Sequence, residues 1–517
     1  MPDLLGADRP LAAVLVSLVA AGLIRVFGDR PALRESCTFG AGIIKFTLVA
    51  SMLPVVLDGG VVDSTPLSLL PGVALHLRVD PLGLLFALVA STLWLLTSVY
   101  SVGYMRAGGY DNQTGYFASF AVCVSATIGL AFAANLLTFF LFYEMLTLAT
   151  YPLVVHNRTP EARAAGRKYL VYTLTAGQAL LLAIVWTQSL APEAEFQPGG
   201  LLPPGIPDWT VVALFVLFIA GVGVKAGIMP LHAWLPAAMV APTPVSALLH
   251  AVAVVKAGAF GCLRIVGYVF GVDLLREVGV DSVLAVLAGT TILFASFRAL
   301  GETHLKRRLA YSTISQLSYI VLGAALGSVA ALAGAIFHIA AHGFMKITMF
   351  FCAGAIHTAS HRDDVTQLGG VGRQMPATMT AFAVAAAGLA GTPLLAGFVS
   401  KWNLGMGALA AGHGVYIALL AISGLLNLAY FFPIVYDAFF SPAHGEVAAE
   451  RFTLTAPLVV TAVAALHDEA HAGTVLRRAA DLAAALRGAG ATDAAAVARY
   501  IVYDSADEPG GGWVGAL

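Results

Sequence analysis

The sequence predicts an all-α integral membrane protein of about 14 transmembrane helices, two of them broken inside the membrane. Composition, a train of membrane-length apolar runs and the placement of basic residues between them carry this reading. Of 517 residues, 59% are hydrophobic and 11% charged, whereas an ordinary soluble domain is about 25% charged. Mean hydropathy is +0.84. A soluble chain of this length has no means of hiding so much apolar surface, because single cores stop growing at about 250–300 residues. Lipid must cover the excess.

A hydrocarbon core about 30 Å thick is crossed by about 20 apolar residues in helix, and spans of ~17 occur. Suitable runs lie near 11–27, 40–57, 82–104, 114–132, 134–155, 169–190, 209–229, 244–270, 279–300, 308–326, 328–353, 376–396, 403–422 and 423–440. The stretch 452–466 is short for a span. A broken helix absorbs two runs, which makes the expected count about 13 or 14 spans. Arg25, Arg30 and Arg34 follow the first run, Arg158, Arg163, Arg167 and Lys168 the fifth, and Lys306, Arg307 and Arg308 the ninth. All three clusters fall after odd-numbered runs, on one side, which the positive-inside rule assigns to the cytoplasm. The N-terminus is then outside. The opposite segments 58–81 and 191–208 are long, rich in Gly and Pro, and nearly free of Lys and Arg.

Net charge is −1, so nothing points to nucleic acid. Cys37, Cys123, Cys262 and Cys352 are scattered with no C-x-x-C pair, which argues against iron–sulfur, c-type haem and structural zinc. They read as buried small hydrophobes. The N-terminus lacks the basic region and cleavage site of a signal peptide, so the run from Leu11 reads as a first span. From His467 the chain turns polar. Residues near 474–486 suit a soluble amphipathic helix, and the closing DEPGGGWVGAL reads as disordered.

Charges inside spans carry the functional signal, because each costs at least about 2.5–3.5 kcal/mol at the bilayer centre. Burial disfavours the charged form of a carboxylate or an ammonium and brings its proton exchange toward neutral pH. Glu144 sits mid-span in NLLTFFLFYEMLTLATYPLV with no local cation. The alternative is a neutral Glu bonded to a neighbouring helix. Lys225 sits in FIAGVGVKAGIMPLHAWLP, just before Pro230 and Pro236. Prolines break or kink a helix, and broken backbone is tolerated in a membrane only inside protein or beside water. The alternative is a lysine snorkelling from a helix end. Lys401 repeats the layout in GLAGTPLLAGFVSKWNLG, after Pro393. Two interrupted helices bearing lysine in the two halves of a chain is a transporter-repeat signature.

His338, His342 and Lys346 lie in AGAIFHIAAHGFMKITMFF. Steps of four advance about 40° round a helix, so the three share one stripe. Imidazoles one turn apart make a proton relay. A metal site also uses His at i and i+4, but no HExxH glutamate is present and Lys346 would repel a cation, so no metal or cofactor is expected. His250 and Lys256, in APTPVSALLHAVAVVKAGAF, are about 240° apart on an ideal helix and do not share a face. Lys306 reads equally as function or as topology.

The phrase PLHAWLPAAMVAPTPVSALLHAVAVVKAG (230–258) resembles the central signature of the proton-conducting antiporter-like family. HLKRRLAYSTISQLSYI (304–320), FHIAAHGFMKITMFF (337–351) and TPLLAGFVSKW (392–402) match its other blocks in order. The resemblance covers roughly 80–440. The family includes the large membrane subunits of respiratory complex I, Mrp-type cation/proton antiporters and membrane-bound hydrogenases. It implies two inverted five-helix repeats, each with a broken helix. It divides the chain into N-terminal helices (1–110), a first repeat (111–270), a second repeat (271–440), and a short apolar segment with a polar tail (441–517).

The resemblance also implies roles. Glu144 matches the glutamate paired with the broken-helix lysine, here Lys225. His250 matches the histidine of the next helix, His338, His342 and Lys346 the central relay, and Lys401 the lysine of the second broken helix, on the exit path. Two departures stand out: the last span, 452–466, is short where the family's is full length and is followed by an unfamiliar polar tail, and the lateral helix of the longest complex I subunit is not expected. With no lateral helix expected, the chain resembles the shorter members, such as those of the Mrp-type cation/proton antiporters or a hydrogenase-associated relative.

The function implied is proton transfer within a multisubunit complex of the plasma membrane, with other membrane subunits as partners and no chemistry in this chain alone. It could form part of a NADH:quinone oxidoreductase-type translocase. Na⁺/H⁺ antiport by the assembly is a second reading, although the spans offer sodium little beyond Glu144. A membrane scaffold anchoring a soluble partner is a third.

Overall fold

The computed structural model describes residues 6–70, 73–192, 194–443, 445–466 and 469–487. The closing residues expected to be disordered lie outside these.

The principal helices are α1 (Arg9–Val26), α2 (Pro31–Ala50), α3 (Pro81–Ala107), α4 (Gln113–Ala131), α5 (Leu136–Val154), α6 (Pro160–Leu190), α7 (Asp208–Ala226) and α8 (Thr243–Phe270). They continue with α9 (Val280–Leu300), α10 (Leu305–Leu326), α11 (Val329–Ser360), α12 (Pro376–Ala390), α13 (Ala396–Ala410), α14 (Val415–Phe440), α15 (Phe452–Ala465) and α16 (Glu469–Leu486). Local chemistry sets their ends. Asp80, Asn135, Thr159 and Ser328 accept backbone N–H bonds at the starts of α3, α5, α6 and α11, which satisfies donors that a helix start leaves free. Gly227, Gly327 and Gly391 close α7, α10 and α12 with positive φ.

Among the described residues, 12 helices are long and apolar enough to cross a membrane. Two further apolar helices, α12 and α15, are shorter. The outer helices carry lipid-facing side chains such as Val19, Phe294 and Leu425, each at least 60% exposed. α8 and α11 are buried along nearly their whole length and form the axis of the bundle.

The C-terminal part departs from the expected segmentation. The run 376–396 ends early because the chain breaks between Gly391 (φ +93) and Leu394 (φ +71). The run 403–422 is cut at residues 411–414, and 423–440 belongs to the same helix as Val415. α12 and α13 form one broken path running antiparallel to α11. Cys352 donates to the Thr378 carbonyl, Met345 packs on Gly388, His338 meets Ser400, and Ser328 donates to the Gly407 carbonyl. At the break, a Cβ on Gly397 would collide with the Gly388 carbonyl.

The three basic clusters share one end of the bundle. Asn157 donates to the Val240 carbonyl and Lys306 to the Ala241 carbonyl, while Arg34 reaches Gln113 and Thr114. At the other end, small hairpins over residues 62–79 meet the 191–208 segment through His76 and Arg78, both paired with Glu195. The tail helix α16 packs against α11, and its Leu486 covers Gly267 of α8. Its described apolar face is covered by the bundle, where the sequence predicts a soluble amphipathic helix.

Candidate functional site

The eight residues singled out by the sequence lie on α5, α7, α8, α11 and α13. Lys225 ends α7, where Gly227 turns the chain away and Trp234 Nε1 caps the Val224 carbonyl at 2.8 Å. Gly258 lets α8 approach: a Cβ there would collide with the Ala226 nitrogen. Fully buried, the Lys225 ammonium donates to the Tyr143 carbonyl at 2.5 Å and lies 3.3 Å from the centroid of the Tyr143 ring.

Glu144 is the next residue of α5, yet its side chain points to α6, into the room left by Gly177. Among the described residues both carboxylate oxygens lack a hydrogen-bond partner, and Glu144 forms no ion pair within 4.0 Å. The implied Glu144–Lys225 pair is thus open. Glu144 turns toward α6, and Lys225 takes the Tyr143 backbone oxygen.

His250 and Lys256 both reach α11, contrary to the ideal-helix expectation. His250 tilts over Phe350 at 4.7 Å, and Lys256 donates to the Ile339 carbonyl at 2.9 Å. The reason is a π-helical turn over Leu248–Val252 with a break at Ala253, which changes the phase of everything after it. Such turns occur often at functional sites.

On α11, the His338 and His342 rings lie 5.7 Å apart. His338 Nδ1 meets Ser400 Oγ at 2.8 Å, and Lys346 donates to Ser312 Oγ at 2.9 Å. Among the described residues, His338 Nε2 and both ring nitrogens of His342 and His250 have no hydrogen-bond partner, though all three residues are fully buried. Lys401 reaches back across the helix break to the Leu389 carbonyl at 2.5 Å. That carbonyl belongs to the last turn of α12, where a cation is favoured. Each lysine is held by a neutral oxygen and each histidine keeps a free nitrogen, an arrangement suited to passing protons.

A family model described as NADH:quinone oxidoreductase/Mrp antiporter, TM, matches residues 133–427, more than half of the chain. The chain belongs to this family. The antiporter-like chain is 35% identical over 376 residues to NADH-quinone oxidoreductase subunit N of Desulforudis audaxviator (strain MP104C), covering 71% of this chain and 74% of that one. It is 31% identical over 400 residues to NADH-quinone oxidoreductase subunit L of Escherichia coli (strain K12), covering 75% of this chain and 63% of that one. Its fold is similar to a chain in the structure of the Mrp complex from Dietzia sp. DQ12-45-1b. The TM-score is 0.82 at 23% identity, over 96% of this chain and 100% of that one. It is an all-helical, multi-pass membrane protein, and the matched segment contains every residue from Glu144 to Lys401 named above.

Several buried polar groups of this antiporter-like protein escape a reading of the sequence. Lys45 on α2 is fully buried over Trp94, at 5.4 Å, and among the described residues its ammonium has no hydrogen-bond partner. A lone lysine in the run 40–57 is the available signal. Arg264 on α8 forms an ion pair with Asp80 at the start of α3. Glu35 pairs with both Arg34 and Arg106. Lys306, left open by the sequence, is bonded to the Ala241 carbonyl that follows the first broken helix.

Proposed function

We propose that this chain is a proton-translocating, antiporter-like subunit of a multisubunit complex in the plasma membrane, of the complex I, Mrp or membrane-hydrogenase kind. The observation that carries this is the set of lysines and histidines buried on α7, α8 and α11, with half-buried Lys401 on α13, each lysine on a neutral oxygen. Burying a charge is costly unless it is compensated, and a span needing only stability would not hold so many.

In this reading the proton enters at Glu144 and Lys225. Lys225 leaves the Tyr143 carbonyl for the Glu144 carboxylate, and closing or opening that pair changes how tightly the lysine holds its proton. The proton moves by way of His250 and Lys256 to the His342–His338–Lys346 stripe, then to Lys401 at the second break. Residues 111–270 and 271–440 act as two inverted repeats about this line. Other membrane subunits supply the driving force, and sodium, where the assembly moves it, travels elsewhere.

The test is proton flux into liposomes carrying the assembled complex, comparing wild type with Lys346→Met. Loss of flux with native-gel assembly intact supports the relay. Wild-type flux would leave the chain as scaffold.

A further inference from the structure

A cavity of about 200 Å³ opens on the flank of the bundle, where α1, α4 and α5 meet. It is lined by Ala21, Gly22 and Arg25 of α1, Ala118 and Val122 of α4, and Ala149 of α5. None of these belongs to the proton line. Residues four apart share a helix face, so Ala118 and Val122 point the same way, as do Ala21 and Arg25. Small side chains make the hollow, and a Cβ on Gly22 would meet no atom within 4 Å.

The hollow lies at a definite depth. Thr114, at the start of α4, donates to the Gly28 carbonyl just past the end of α1. His156, just past the end of α5, packs its ring against Tyr116 of α4. The three helix ends therefore lie together, at the end of the bundle that holds the basic clusters. Ala21, Ala118 and Ala149 each lie five residues inside these ends, or about 7–8 Å at a rise of about 1.5 Å per residue. The interfacial layer of a bilayer is about 5–8 Å thick on each side, so the hollow faces the start of the acyl chains. Val19, Leu23 and Leu148 on the flanking helices are exposed, which keeps its surroundings apolar.

Arg25 stands at the mouth, one turn nearer the end of α1. It is exposed, and among the described residues its guanidinium has no ion pair or hydrogen-bond partner. Arg34, by contrast, is engaged by Glu35, Gln113 and Thr114. A cation at the helix end and an apolar hollow below it repeat the order of a phospholipid from headgroup to tail.

We propose that this hollow binds one anionic phospholipid of the cytoplasmic leaflet, with an acyl chain between α1, α4 and α5 and the phosphate on the Arg25 guanidinium. A guanidinium presents paired N–H donors that match phosphate, and basic pockets between spans on the cytoplasmic side bind anionic headgroups. An apolar cavity of about 150 Å³ takes up benzene, so this one has room for a run of chain methylenes. The lipid rests against α5, the helix of Glu144, and its binding is independent of the proton route.

The experiment uses the assembled complex in vesicles containing a phosphatidylglycerol analogue with a diazirine in its acyl chain, and maps the photolabelled peptides by mass spectrometry. Label is expected on the peptides holding Ala21–Arg25 and Ala118–Val122, and excess unlabelled phosphatidylglycerol should remove it where phosphatidylcholine does not. Arg25→Gln should raise the phosphatidylglycerol needed by about fivefold, the effect of one basic residue at an anionic surface. Gly22→Leu fills open space without striking a neighbour. It should remove label here and leave it elsewhere on the lipid-facing surface, with native-gel assembly intact. Equal competition by phosphatidylcholine, label spread evenly over the lipid-facing helices, or label that survives Gly22→Leu would each overturn the proposal. Absence of label at this site in the assembled complex would overturn it too, and would mean that another subunit covers the hollow.

Discussion

Lys225 rests on the carbonyl of Tyr143, 2.5 Å away, rather than on the carboxylate of Glu144 one residue along. The glutamate lies against Gly177 with both oxygens free of hydrogen bonds. An open pair beside a closed alternative is what a switch requires, because one side chain must have two places to go.

Glu144→Gln is expected to abolish most proton flux while leaving thermal stability within about 1 kcal/mol of wild type, since no native ion pair is broken. Proton flux and thermal unfolding of the same preparation check this. A loss of about 3–5 kcal/mol, the usual cost of splitting a buried pair, would mean that the pair is closed at rest.

Gly258→Ala should cost about 1–3 kcal/mol, as overpacking a close contact does. The new methyl would strike the backbone at Ala226 and push α8 from Lys225. Thermal unfolding should fall and flux should fall with it.

Asp80→Asn keeps the helix-start bond to Gly83 but removes the charge that faces Arg264. Arg264 is almost wholly buried, so the expected destabilisation is about 3 kcal/mol. An unchanged melting temperature would show the pair to be dispensable.

Lys45→Met should raise the melting temperature and leave flux unchanged. It replaces a buried ammonium that has no hydrogen-bond acceptor with an apolar side chain of similar length, removing an uncompensated polar burial. Lost flux would place Lys45 in the conduction path.

His156, in the turn between α5 and α6, packs its ring against Tyr110 and Tyr116. Burial lowers its pKa below the ordinary histidine value, opposed by a backbone hydrogen bond involving Asp111 and reinforced by Arg158. The folded state therefore favours the neutral ring. Its contribution is complete above about pH 6.5 and is lost as pH falls from there toward the lowered value. His156→Phe should flatten stability against pH in that window, measured by thermal unfolding between neutral and mildly acidic pH. An unchanged slope would contradict it.

The helices are legible in the sequence where apolar runs end at charge, Gly or Pro. The expected 244–270 and 279–300 correspond to Thr243–Phe270 and Val280–Leu300. Legibility fails where hydrophobicity continues through a break, as at residues 411–414 and at Gly391. The site charges stand out because charge is expensive in lipid. Ser312 does not, because an uncharged polar residue is ordinary within a span and its bond to Lys346 exists only once α10 and α11 pack. The shared reach of His250 and Lys256 is hidden because a π-helical turn leaves no mark in residue spacing.

The proposed proton path passes Lys225 at the first broken helix. The most direct test is pH-gradient formation by the reconstituted complex, wild type against Lys225→Ala, with assembly verified on native gels. Loss of most of the gradient is predicted. An unchanged gradient would contradict this path and move the conducting route to another subunit.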